Sequence, residues 1–309
     1  MPASTESASN RTSGTATMNI GAIGIDSSHL PEFTRRISEM HQAGDTPCRV
    51  THYWTDGRHD WPNPDDVQGW KAKAEELGAE QADSLDDMLD RVDGVMVLAV
   101  SGFRHLELAT PALERGMPTY IDKPLTCDLD QARRVLALSN KHNAPCYSAS
   151  SLRFATELDA IPRDTLGDLV AIDAYGPGEL NDGAPGLLHY GVHTIEMIDA
   201  IWGPGVKRVS AIETPDRHLV DLDYGDRYAR LRLERKGAYD FGATLSGTKG
   251  THSFKVDFGP VYSRLVRGMT RFFEGGEPPA RLEHIVENIA VMLAGNESIA
   301  KQGEWVQVP

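Results

Sequence analysis

The run VDGVMVLAV at residues 92–100 constrains the fold more than any other stretch. It is too short for a buried helix and carries one charge, so it reads as a strand covered on both faces. A helical stretch, HLELATPALERG, follows it, and the same alternation runs through the surrounding chain. NIGAIGI (19–25) is a short apolar strand ending beside a glycine, and PEFTRRISEMHQAG then reads as a helix. Pro31 suits its first turn and Gly44 its C-terminal end. CRVTHYW (48–54) is a strand, DGRHDWPNPDD a loop, and helices are expected near 66–77 and at SLDDMLDRV, with Ser84 as N-cap. MPTYID, LDQARRVLALSNKHN and APCYSASS continue as strand, helix and strand. This rhythm predicts an α/β domain with a parallel sheet.

The second half changes character. LVAIDAY, VKRVSAIET, YARLRLER, AYDFGATLSG and GTHSFKVDF read as longer strands separated by turns. They predict an α+β domain with a mostly antiparallel open sheet. Helices are expected at 187–202, at VYSRLVRGMTRFFEGG and at RLEHIVENIAVMLAGNESIA. The expected division is a tail at 1–17, a first domain at 18–148 and a second at 149–309. The tail is rich in Ser and Thr and lacks the apolar core of a secretory signal, and Met18 is an alternative start.

Composition excludes several classes of function. The 309 residues carry 45 acidic and 31 basic side chains, a net charge of −14 without a Lys/Arg run to follow a phosphate backbone. No apolar run approaches the ~20 residues that span a bilayer. Cys48, Cys127 and Cys146 are widely spaced and odd in number, as free thiols in a reducing compartment would be, so a cytoplasmic location is expected.

Candidate ligand residues cluster at the predicted strand ends. Gly24-Ile25-Asp26-Ser27-Ser28-His29 stands where a dinucleotide fingerprint would place three glycines, and only Gly24 matches. Asp26, Ser27 and Ser28 can line a phosphate site through helix-start N–H groups, or simply cap the following helix. Asp56 is the nearest acid for a ribose, with Arg58 beside it; loop solvation explains both equally well. After the fourth strand, Val100, Ser101 and His105 are candidates for the cofactor pocket, and His105 is otherwise a helix-terminus polar group. In TYIDKPLT (119–126) a buried strand ends in Asp122, Lys123 and Pro124, at the sheet edge where ligands of such folds bind.

From VDGVMVLAV through HLELATPALERGMPTYIDKPLT to YSASSLRF, the chain resembles the glucose–fructose oxidoreductase / inositol dehydrogenase / MocA-like (Gfo/Idh/MocA) superfamily. The likeness extends through GLLHYGVHTIEMIDAIWGPG and LSGTKGTHSF to the last helix. The family usually has EKP where this chain has DKP. The resemblance implies a Rossmann domain and an NAD- or NADP-dependent hydride transfer to or from a secondary alcohol of a sugar-like or polyol substrate. It casts Lys123 as the lysine that meets the reacting hydroxyl, His193 as its acid/base partner, and Arg153 as a residue near the substrate. It puts His189 where the family commonly has aspartate. The second-domain sheet is expected to mediate homo-oligomer contacts.

LLHYGVHTIEMID (187–199) then admits three readings. On one continuous helix, His189, His193 and Glu196 share a face. They can form a proton relay with Lys123, in which His193 accepts the alcohol proton, Glu196 fixes its tautomer and at least one imidazole stays uncharged, with Tyr190 beside the substrate. They can instead bind a divalent metal, which would suit a non-redox lyase or isomerase. Or they are ordinary core residues, and the protein is a catalytically idle cofactor or sugar sensor.

Overall fold

The computed structural model describes residues 17–309; the expected tail lies outside the described residues except for Thr17. The first half alternates β1 (Met18–Ile23), α1 (His29–Gln42), β2 (Cys48–Trp54), α2 (Pro64–Glu76), β3 (Glu80–Gln81) and α3 (Leu85–Leu89). It continues with β4 (Gly94–Val97), α4 (His105–Glu114), β5 (Thr119–Ile121), α5 (Leu129–His142) and β6 (Cys146–Ser148). The six strands are all parallel, in the order β3-β2-β1-β4-β5-β6. This is the doubly wound dinucleotide-binding order.

The reason β4 is apolar throughout lies in its two faces. Val95 and Val97 point into one core with Leu108, Leu113 and Val135. Met96 and Leu98 point into the other, with Phe33, Tyr120 and Phe272. Alternating side chains thus meet helices on both sides.

The second half holds α6 (Thr156–Asp159), α7 (Arg163–Leu166), β7 (Leu169–Pro177), α8 (Gly191–Trp202), β8 (Arg208–Thr214) and β9 (Arg217–Asp223). Then come β10 (Tyr228–Glu234), β11 (Gly242–Gly247), β12 (Thr251–Lys255), α9 (Phe258–Phe273), α10 (Leu282–Ala300) and β13 (Val306–Gln307). Its sheet runs β12-β11-β7-β10-β9-β8-β13, antiparallel except for the β7–β10 pair. On β9 and β10 buried and accessible residues alternate, with α8 and α10 lying along the buried face.

Two features depart from the sequence reading. The helix expected over 187–202 starts only at Gly191; Gly186–Leu188 is a separate 3-10 turn, and His189 lies in the link between them. Also, α9 returns to the first sheet, where Leu265, Met269, Phe272 and Phe273 complete the core beneath β1 and β5. A Cβ on Gly94 would lie 2.7 Å from the Phe273 ring, so the approach of α9 requires glycine there.

Candidate active site

A cavity of about 350 Å3 lies at the carboxyl edge of the first sheet. Ser28, His29, Asp122 and Lys123 line it from that edge, His189 from the link before α8, and His193 from the first turn of α8. Tyr190, Tyr239, Phe241, Phe258 and Tyr262 form aromatic walls. The first and last of the expected catalytic positions, Lys123 and His193, therefore share one chamber.

Strand β5 ends at Ile121, and the Asp122-Lys123-Pro124 turn follows, with a cis Lys123–Pro124 bond. Asp122 is turned inward. Its Oδ1 accepts the Lys123 N–H at 2.8 Å, and its Oδ2 lies 2.5 Å from His29 Nδ1. Burial alone would raise the Asp122 carboxyl, but His29 and Lys123 outweigh it and hold the acid well below its ordinary range. The carboxylate is therefore ionised. The Lys123 ammonium has no hydrogen-bond or ion-pair partner among the described residues, which leaves its donors for a ligand.

His29 stands where a dinucleotide fingerprint would carry its third glycine. Its ring stacks on Phe33 at 4.7 Å, and its Nε2 faces the Tyr262 hydroxyl at 3.3 Å. Sequence reasoning did not include this residue in the site, because its partners lie 93 and 233 positions away.

His193 is fixed from behind. Ser150 Oγ lies 2.7 Å from its Nδ1 and accepts the Leu152 N–H at 3.1 Å. Burial, aided by the Lys123 and His189 charges, pushes the His193 imidazole well below the usual histidine range. His189 is pushed down to about 4 by burial and by Lys123. Both rings are neutral at pH 7, as the relay reading expects of at least one.

Arg153 and Glu196, expected at the substrate, do not line the cavity. Glu196 is buried, accepts the Ser150 N–H at 2.8 Å and pairs with Arg153 at 3.3 Å. Burial outweighs the Arg153 guanidinium and lifts the Glu196 carboxyl to about 7. The acid supports Ser150, which supports His193; it does not reach the histidine ring itself. Tyr190 does line the cavity, hydrogen-bonded to Tyr239 through their hydroxyls.

The metal arrangement is not formed. Among the described residues no group of three or more His, Cys, Asp and Glu side chains is placed to hold a metal ion. The physical reason is the late start of α8: His189 is not one turn before His193, and Glu196 faces Ser150 and Arg153.

At the glycine turn, Gly24 has φ +92°, and a Cβ there would lie 2.9 Å from the Ala99 nitrogen. Asp26 is buried, and its carboxylate accepts the N–H groups of Val100 (3.3 Å) and Asp60 (2.8 Å). It caps no helix; Ser27 Oγ instead accepts the His29 N–H at 3.1 Å. Asp56 is held by Arg58 at 2.6 Å and Arg104 at 2.8 Å. His105 is buried away from the cavity, with Nε2 2.7 Å from the Ala99 carbonyl and Nδ1 2.9 Å from that of Pro124. It ties the β4 and β5 ends together, which is the helix-terminus reading. Ser101 packs near Gly183, while Val100 and Pro124 line the cavity.

Residues 64–150 match the family model of the Gfo/Idh/MocA oxidoreductases, described as an oxidoreductase family with an NAD-binding Rossmann fold. Over this stretch of the first domain the chain is similar to that family. Among its curated relatives, the oxidoreductase YhhX of Escherichia coli K12 is 29% identical over 56% of this chain and 51% of its own length. An inositol 2-dehydrogenase of Corynebacterium glutamicum is 33% identical over 29% of this chain and 27% of its own. The chain thus spans about half, or less, of the curated relatives it matches. The scyllo-inositol dehydrogenase of Lactobacillus casei, solved with NAD(H) and scyllo-inositol, shares the fold at TM-score 0.74 and 19% identity, over 94% of this chain and 99% of that one. GenD2 from gentamicin A biosynthesis, solved with NAD, shares it at TM-score 0.78 and 15% identity, over 96% and 97%.

The glycine turn fits the nicotinamide dinucleotide of the matched family. Gly24 leaves open the close approach that a Cβ would block. Asp26, whose charge would repel a pyrophosphate if it faced one, spends it on two backbone N–H groups instead.

Proposed function

We propose that the protein is an NAD(P)-dependent dehydrogenase acting on a secondary alcohol of a sugar-like or polyol substrate. One observation carries this reading: an ammonium from the first domain, Lys123, and an imidazole from the second, His193, line the same cavity at the sheet's carboxyl edge. Bound there, a nicotinamide dinucleotide supplies the hydride acceptor or donor. Gly24, Ser27, Ser28 and Val100 are the residues that would hold it.

This chain's own residues handle the oxygen and its proton. The Lys123 ammonium stabilises negative charge developing on the carbinol oxygen. The five aromatic walls exclude water and offer apolar faces to the C–H surface of a ring or polyol. The neutral histidines keep the net charge of the chamber low, so Lys123 remains its dominant cation.

Titration of the purified protein with NAD(H) and NADP(H), followed by the fluorescence of its five tryptophans, tests the cofactor. Turnover of a polyol and sugar panel tests the reaction, and Lys123→Ala is expected to abolish it with the fold retained. Full turnover by that variant would remove the assignment.

A further inference from the structure

We infer that His29, aligned by Asp122 and Tyr262, is the proton-transferring base of this site, and that His193 is a hydrogen-bond donor rather than the base. The inference rests on the dehydrogenase reading for its reaction, and on the hydrogen-bond network alone for its protonation pattern.

His193 comes first. Ser150 is buried, and its hydroxyl oxygen already accepts the Leu152 N–H. The hydroxyl has one proton to give, and the acceptor placed for it among the described residues is His193 Nδ1, at 2.7 Å. A neutral imidazole carries one proton. With Nδ1 accepting, that proton sits on Nε2, the nitrogen not held by Ser150. A ring that is neutral and carries Nε2–H has no lone pair there to offer, so it donates to an oxygen.

His29 is built the other way. Asp122 is ionised and accepts only, so the 2.5 Å contact places a proton on His29 Nδ1. In the neutral ring Nε2 then carries the lone pair, and after taking up a proton it carries N–H. The Tyr262 hydroxyl at 3.3 Å, its acidity suppressed to about 12 by burial, stays protonated and donates toward that lone pair. A base whose far nitrogen is oriented by a carboxylate is the arrangement general-base catalysis uses. His189 makes no hydrogen bond among the described residues, and its conjugate acid near 4 is a weak proton holder at neutral pH.

The alcohol O–H bond breaks, and its proton bonds to His29 Nε2. The carbinol C–H bond breaks, with the hydride passing to an oxidised nicotinamide dinucleotide, and a C=O double bond forms. Lys123 and His193 Nε2–H donate to that oxygen. In the reverse direction the His29 imidazolium returns the proton.

Nitrogen-15 NMR of histidine-labelled wild-type protein reads the protonation pattern without substrate. Protonated Nδ1 at His29 and protonated Nε2 at His193 are expected; either ring in the opposite tautomer overturns the inference. His29→Gln keeps a donor for Asp122 but cannot take up a proton. It is expected to lower kcat by about 10²–10⁴-fold and erase the acid limb of its pH profile, with NAD(H) binding retained. The charged and titratable groups facing His29 are Asp122 and Lys123 from the β5 turn, Tyr262 from α9, Arg36 over the Tyr262 ring, and His193 across the cavity. Tyr262→Phe, which removes the hydroxyl facing Nε2, is expected to shift that limb. Undiminished kcat with the limb intact in His29→Gln would overturn the assignment. A wild-type protein that turns over nothing in the panel would instead sink the dehydrogenase reading, while the tautomers still decide the network.

Discussion

Arg153 grips two carboxylates three residues apart on one face of α8. Its Nε donates to Glu196 across 3.3 Å, and its terminal nitrogen donates to Asp199. All three side chains are nearly inaccessible to water. Removing the cation strands two buried acids, which costs far more than the pair contributes over an apolar replacement. Arg153→Met is therefore expected to lose about 3–5 kcal/mol of stability, read by denaturant unfolding. A change below about 1 kcal/mol would show that the acids are solvated or protonated in compensation.

Lys123 makes the opposite prediction. Its ammonium makes no hydrogen bond or ion pair among the described residues, and its charge is a lesser cause than His29 of the low Asp122 carboxyl, so Lys123→Ala should cost no more than about 1 kcal/mol. Its charge is one of two causes that depress His189. In Lys123→Ala the His189 titration midpoint should rise from about 4 toward, but not to, the ordinary histidine value, since burial is the larger cause. An NMR titration of His189 in both proteins decides this, and an unmoved midpoint would place Lys123 away from the ring.

The first sheet was legible because parallel strands covered on both faces leave an unbroken apolar run, as β4 does. Strand β9 escaped notice: RHLVDLD alternates cleanly, yet only two residues, Pro215 and Asp216, separate it from β8. The late start of α8 was also hidden, since His189 and His193 have helical spacing whether or not the chain between them is helical. Lys123 was legible from the strand end it follows. His29 was not, because nothing local marks it: its role comes from Asp122 and Tyr262, which only the folded chain brings together. Glu196 was read as touching His193, when Ser150 stands between them.

His189 links the site to acid stability. The folded protein holds this ring neutral down to about 4, whereas the unfolded chain takes up a proton near 6.5. Between those values the unfolded state binds more protons, so this group's contribution to stability is present above about 6.5 and is lost as pH falls toward 4. His189→Asn removes that loss. Relative to wild type, the variant should gain on the order of 1 kcal/mol between pH 7 and pH 5, after allowance for solvent screening. Glu196, lifted to about 7, has the opposite slope, favouring the folded state at lower pH, and is common to both proteins. Melting curves at the two pH values test the difference; parallel losses in both proteins would show that His189 is hydrated.

Gly24 separates cofactor binding from the polar chemistry. Its φ of +92° is strained for any L side chain, and the nearest atom to an added Cβ is main chain, the Ala99 nitrogen at 2.9 Å. Backbone cannot swing aside as a side chain would, so Gly24→Ala must shift the β1–α1 turn or the end of β4. A cost of about 1–3 kcal/mol is expected from the strain. The shift also moves the turn that carries Asp26 and its bonds to Val100 and Asp60, which sets the floor of the dinucleotide crevice. NAD(H) affinity should therefore fall by at least about tenfold, the equivalent of 1.4 kcal/mol. His29 and Asp122 pair beyond that turn, so the Nδ1 proton of His29 should persist in the NMR spectrum. Wild-type affinity in a folded Gly24→Ala protein would mean the dinucleotide does not cross this turn.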